Sequence, residues 1–146
     1  EGGGQVRLGQ ILAGRIVSER PVAAKGDFRL ELTCYDVHEF REEDAETRLR
    51  SFPVWSAEAR VDAAQDTTKG LPFRFTLPAT VGPKPVPSGI VPGAGVQSLT
   101  TIHTPGMRRV VEATNRPPVA RHWVLKVTAP VAGPDFLAEL SVDVQE

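Results

Sequence analysis

Strict alternation of apolar and polar residues is the feature that most constrains this chain. In the segment DFRLELTC the apolar residues Phe28, Leu30, Leu32 and Cys34 alternate with charged or polar ones. Successive side chains of a β-strand point to opposite faces, so the pattern predicts a strand with one buried and one wet face. Such strands are typical of antiparallel sheets. The same phase recurs in four further segments, whose predicted inward residues are Trp55, Ala57, Ala59 and Val61; Leu71, Phe73, Phe75 and Leu77; Trp123, Leu125 and Val127; and Phe136, Ala138, Leu140, Val142 and Val144.

The number and spacing of these segments predict an all-β fold. A less regular N-terminal segment, in which Leu8, Leu12 and Ile16 can share a face, brings the chain to at least six strands. The only helical candidate outside the insertion discussed below is a short turn in EEDAETRLR. Several strands separated by turns favour a sandwich or a barrel, and the length fits a single domain over residues 1–146.

Charge and composition exclude several classes of function. A net charge of −1 provides no overall field for nucleic acid, so no nucleic-acid partner is expected. No apolar run approaches the roughly 18 residues of a membrane span, so we expect neither a span nor a signal peptide within these residues. The only methionine is Met107. We therefore expect a processed protein or, preferably, a segment of a longer one, in which residues 1–5 are the remnant of a flexible linker.

A charged segment over residues 36–51 interrupts the pattern. It joins two strong strands, which makes it the tip of a long hairpin or an excursion from the sheet. A solvated loop is the simpler interpretation, and a partner-binding tip is the functional one. The candidate interaction residues here are Phe40, Arg41, Glu42 and Glu43.

A second irregular segment, residues 82–119, is rich in proline and glycine. Loops of this length are uncommon inside compact domains and are usually functional or disordered, so we interpret it as an insertion. Its middle part can pair as a hairpin around Thr104-Pro105-Gly106, or it can be helical from Met107. Arg108 and Arg109 are further candidate interaction residues.

No motif for catalysis or metal binding is found. His38, His103 and His122 show no metal-ligand spacing, and neither a nucleophile elbow nor a phosphate-binding loop is present. The acidic cluster around Glu42 lacks the spacing of an EF-hand loop. We therefore expect no catalytic residue, no cofactor and no metal ligand.

Cys34, Trp55 and Trp123 each have a functional and a structural interpretation. A single cysteine forms no internal disulfide, and the phase of Cys34 predicts a buried side chain rather than a reactive thiol. The tryptophans can serve as carbohydrate-stacking platforms, but both alternate in phase with aliphatic residues. Core packing is therefore the favoured interpretation for both.

The order of these segments resembles a known family. The chain is similar to the arrestin-like β-sandwich domain at the C-terminal end of certain bacterial membrane proteins of unknown function. The strand W-x-L-x-V-x-A, the turn before an aromatic strand and the F-x-(I/L)-P strand carry the resemblance. The matching residues are Trp123, Leu125, Val127, Ala129, Asp135, Phe136, Phe75, Leu77, Pro78 and Trp55. The last strand and the long insertion depart from the family pattern.

The resemblance implies an immunoglobulin-like sandwich of two antiparallel sheets with about seven or eight strands. It also implies a soluble domain whose membrane-spanning segments lie upstream of Glu1, with the cytoplasmic side slightly favoured. We therefore expect a non-catalytic protein-interaction module of a membrane-anchored protein, with an unknown protein partner. The alternative is a ligand-binding module for carbohydrate or calcium, and an enzyme is the least favoured class.

Overall fold

The computed structural model describes residues 5–41, 47–86, 99–104, 107–112 and 117–146, and of Arg41 and residues 99–104 and 107–112 it describes only the backbone. The described part of the chain is all-β and contains no helix. Its strands are β1 (Val6–Arg7), β2 (Ile11–Ile16), β3 (Phe28–Arg41), β4 (Thr47–Val61), β5 (Leu71–Thr76), β6 (Leu99–Thr104), β7 (Met107–Glu112), β8 (Ala120–Ala129), β9 (Phe136–Val142) and β10 (Val144–Gln145).

The main layer is a four-stranded antiparallel sheet with the order β4-β3-β8-β9. Its register aligns the apolar phases of the strands, since Cys34 lies opposite Trp123 on one side and opposite Trp55 on the other. Directly opposed residues of antiparallel strands share a face. The inward residues predicted for β3, β4 and β8 therefore form one continuous surface.

A β-bulge interrupts the pairing of β3 with β4. Cys34 pairs with Trp55, but Tyr35 pairs with Pro53, so Val54 is the additional residue on β4. A bulge shifts the phase of the strand that carries it. Beyond this point Phe52, rather than Pro53, lies on the same face as the core residues of β3, opposite Asp36.

The second layer is built from short pairings. β2 pairs with β5 in antiparallel fashion, and β1 pairs with β10 in parallel. The two pairs are joined because the Gly9 amide donates to Pro78 and the Leu8 amide donates to Gln145. The apolar residues of this second layer and those on the inner face of the main sheet form one core. The buried members of this core are Leu12, Phe28, Leu30, Leu32, Cys34, Leu71, Phe75, Leu77, Trp123, Leu125, Val127 and Ala129.

The alternation predicted the core well, with one difference on β9. Leu140 lies opposite Leu125, on the predicted inward side, yet it is 42% exposed. β9 is the last strand of its sheet, so the short second layer does not fully cover it. The alternation assigns a residue to one face of the sheet. Whether the residue is buried also depends on whether another layer covers that face.

The base of the proline- and glycine-rich insertion is fixed to the body of the protein. The Val86 amide donates to the Pro118 carbonyl at 2.8 Å, and the Val119 amide donates to Val37 at 2.8 Å. Pro118 is fully buried. Within the insertion, β6 and β7 form an antiparallel hairpin, so the hairpin alternative is found and the helix from Met107 is wrong.

Two glycines with the same backbone conformation provide a test of packing. Gly70 and Gly133 both have φ of 102°, where a side chain is strained, but a Cβ at Gly70 would lie 2.9 Å from Cβ of Arg15. A Cβ at Gly133 would meet nothing within 4 Å. We expect Gly70→Ala to lower the free energy of unfolding by about 2–3 kcal/mol and Gly133→Ala by about 1 kcal/mol. Equal losses in denaturant titrations would contradict the close contact at Gly70.

Candidate functional site

The β3–β4 hairpin extends beyond the main sheet. β8 pairs with β3 only as far as Val37, whereas the pairing of β3 with β4 continues to Arg41 and Thr47. Residues 38–41 and 47–50 therefore form a two-stranded projection, called here the hairpin ribbon. A two-stranded ribbon buries little by itself, so its side chains remain accessible to another molecule.

Aromatic and cationic side chains meet on one face of the hairpin ribbon and at its base. The ring of Phe40 lies 5.7 Å from that of Phe52, and the ring of His38 lies 6.0 Å from Phe52. The guanidinium carbon of Arg50 lies 5.8 Å from the Phe40 centroid, within the range of a cation–π contact. His38, Phe40, Arg50 and Phe52 are called the ribbon cluster. Phe52 is 42% exposed, so the cluster presents an aromatic surface to solvent.

The outer edge of β4 is open. β4 is the terminal strand of the main sheet, and no described strand pairs with its other side. Its residues from Thr47 to Val54 are all exposed, including Leu49 and Val54, which are apolar. An edge strand presents a row of backbone donors and acceptors to which another chain can pair.

The sequence-predicted interaction residues are distributed over two hairpins. Phe40 belongs to the ribbon cluster, and Arg41 ends β3 opposite Thr47. Glu42 and Glu43 lie outside the described residues. Arg108 and Arg109 lie on β7, opposite His103 and Ile102. Sequence reasoning missed His38, Arg50 and Phe52 as partners of Phe40.

The segment predicted as a charged tip begins with a residue that does not belong to the tip. Asp36 is buried in the main sheet and forms a bidentate ion pair with Arg121, with Nε–Oδ1 2.5 Å and Nη2–Oδ2 3.2 Å. Both side chains are almost fully buried. Arg121 also donates from Nη2 to the Pro83 carbonyl and from Nη1 to the Glu146 carboxylate. Hydrogen bonding to Asp36 raises the pKa of the guanidinium above its already high value, so Arg121 stays charged.

The remaining residues with a functional interpretation lie mainly in the core. Trp123 is 3% exposed and packs against the partly buried Trp55 with their centroids 5.4 Å apart. Neither is an exposed stacking platform. His122 stacks on Tyr35 at 5.2 Å. In the described part of the chain, no group of three or more His, Cys, Asp or Glu side chains is placed to hold a metal ion.

Cys34 lies fully buried between the two tryptophans, as its phase predicts. Burial raises the pKa of its thiol from 9.0 to about 12. Because the thiolate is the reactive form, native protein should resist a thiol reagent at pH 8 and react only on unfolding. Because burial disfavours the thiolate, titration of Cys34 does not affect the stability below about pH 9 and lowers it as the pH rises toward 12. Native labelling as fast as in denaturant would contradict this placement.

No protein-family model matches the chain, and no curated protein matches it. Among the described residues, no helix is long and apolar enough to cross a membrane.

Proposed function

We propose that this chain is a non-catalytic protein-interaction domain that binds an extended segment of a partner protein along β4. The observation that carries the proposal is the open edge of β4 beside the ribbon cluster. Strand addition to an exposed sheet edge is a common mode of peptide recognition, in which backbone hydrogen bonds contribute affinity and side-chain contacts contribute specificity.

The position of Pro53 supports an accessible edge. Proline has no N–H, and within sheets it occurs on edge strands where its nitrogen faces away from the neighbouring strand. Alternate residues of a strand direct their backbone groups to the same side. The amide and carbonyl of Ser51 are therefore expected to face the open edge, next to the ribbon cluster.

The side chains around this edge define the chemistry of the partner. Leu49 and Val54 are exposed apolar residues, and Phe52 presents an aromatic ring beside Arg50. Arg50 and Arg48 add positive charge on the face of the ribbon that carries Phe40. A partner segment with apolar residues at alternate positions and at least one carboxylate would complement this surface.

The proposal includes an arrestin-like sandwich in a membrane-anchored parent protein. In support, β8, which carries Trp123, pairs with β9, which begins at Phe136, and the two layers share one core. Both strands carry the motifs of the resemblance. In this proposal the membrane-spanning segments lie upstream of Glu1.

Peptides selected from a random library against the immobilised domain provide the test. We expect bound peptides to shift the backbone amide resonances of residues 47–54. Ser51→Pro should abolish binding, because it removes an edge amide while leaving the pairing with β3 intact. Phe52→Ala should weaken binding about tenfold, as expected for a truncated aromatic anchor.

Leu137→Ala is the matched control, since Leu137 is an exposed apolar residue on the opposite edge strand, β9. It should leave peptide binding unchanged. Circular dichroism would show that Ser51→Pro still folds. A library that yields no binder, or binders that Ser51→Pro does not affect, would overturn the proposal.

A further inference from the structure

A cavity of about 510 Å³ lies at the end of the fold where the second layer meets β8. β1 contributes Arg7, the segment after β5 contributes Val81 and Lys84, and β8 contributes Arg121. Glu146 lines the cavity as well. The cavity is formed by parts of the chain far apart in sequence, and none of its lining residues belongs to the ribbon cluster.

The cavity lining has an excess of positive charge. Arg7, Lys84 and Arg121 line it, and Glu146 is the only acidic residue among its described lining. Asp36 offsets the charge of Arg121 from behind the lining, so Arg7 and Lys84 carry the excess. Arg7 and Lys84 are exposed, and neither forms an ion pair with another described residue. A cleft lined mainly by one sign of charge concentrates ligands of the opposite sign.

Arg121 supplies a fixed guanidinium in this cavity. Asp36 holds its Nε and Nη2 atoms, and the Pro83 carbonyl accepts a further hydrogen bond from Nη2. The side chain is only 4% exposed, so its orientation is set by these contacts. Its Nη1 atom is the one left to face the cavity, and a guanidinium held in this way presents that charged donor to a carboxylate in a fixed orientation.

The carboxylate of Glu146 already occupies one donor of this group, because it accepts a hydrogen bond from Nη1. Its side chain is 17% exposed, compared with 6% for Asp36, and it follows the two-residue strand β10. Of the two carboxylates on Arg121, Glu146 is therefore the one that an incoming ligand can replace.

From this arrangement we infer that the cavity binds a small organic polycarboxylate. One carboxylate of the ligand replaces Glu146 at Nη1 of Arg121, and a second is neutralised by Lys84 and Arg7. This site goes beyond the proposed strand-binding surface and does not depend on it. The exchange of one carboxylate for another preserves the charge balance at the buried guanidinium.

Titration with citrate at constant ionic strength, followed by amide resonances, tests the inference. We expect saturable shifts for Val81, Gly82 and Gln145, which line the cavity. Glu146→Gln should tighten citrate binding about tenfold, because it removes the charge of the internal competitor. Lys84→Ala should weaken it about threefold to tenfold. Inorganic phosphate, titrated in a parallel arm, should bind less tightly, since it lacks two separated carboxylates.

Lys126→Ala is the matched control, because Lys126 is an exposed lysine on β8 that lies next to the inward Leu125 and so faces away from the core. It should leave citrate affinity unchanged. An absence of saturable shifts, or equal affinity in the wild type, Glu146→Gln and Lys84→Ala, would overturn the inference. Tighter binding of phosphate than of citrate would assign the cavity to phosphate and refute the polycarboxylate.

Discussion

Arg121→Met is expected to lower the free energy of unfolding by about 3–5 kcal/mol. The substitution leaves the buried Asp36 carboxylate without the guanidinium that holds both of its oxygens. It also removes the hydrogen bond to the Pro83 carbonyl. A buried charge that loses its partner retains its desolvation cost without the compensating attraction, which makes such changes much more costly than losses at the surface. Denaturant titration at pH 7 measures the effect.

Arg29→Met is the matched control for this substitution. Arg29 also forms ion pairs, with Glu31 and Glu58, but its side chain is 52% exposed. Exposed ion pairs contribute little, so the loss should be below about 1 kcal/mol. The double variant Asp36→Leu/Arg121→Met should be more stable than Arg121→Met alone, because it leaves no unpaired charge. Similar losses for Arg121→Met and Arg29→Met would show that Asp36 and Arg121 are not buried together.

The alternating pattern was enough to predict that both members of the buried ion pair face inward, but not that they pair with each other. Asp36 stands in phase with Phe28 and Cys34, and Arg121 stands in phase with Trp123, so both charges occupy inward positions. That signal was present in the sequence. The pairing was not, because the two residues are 85 positions apart and only the register of β3 with β8 places them opposite each other.

The ribbon cluster was predictable only in part. The charged segment identified Phe40 and the general position of a projecting hairpin. The contact of Phe40 with Phe52 depends on the bulge at Val54, which shifts the phase of β4 by one residue. Pro53, next to Val54, is compatible with an edge strand as well as with a bulge, so its residue type did not show that the alternation of β4 shifts past Trp55.

The core residues, in contrast, were predictable from the alternation of apolar and polar residues. Trp123 is the most informative of them. The residue is 3% exposed and packs against Trp55 on the inner face of the main sheet. Trp123→Ala is therefore expected to lower the free energy of unfolding by about 3–5 kcal/mol, since a large side chain is removed and the surrounding residues cannot fully close the cavity. Thermal or denaturant unfolding measures this loss.

A comparison of Trp123→Phe with Trp123→Ala separates the contribution of ring packing to stability from that of the indole N–H. The indole N–H of Trp123 is buried and has no hydrogen-bond partner among the described residues. Phenylalanine keeps an aromatic ring beside Trp55 and removes this unpaired donor, whose burial without a partner is itself unfavourable. The expected loss is below about 1.5 kcal/mol. If Trp123→Phe were as destabilising as Trp123→Ala, the N–H would have to contribute a hydrogen bond. If Trp123→Ala left the stability unchanged, the tryptophan could not lie in the core.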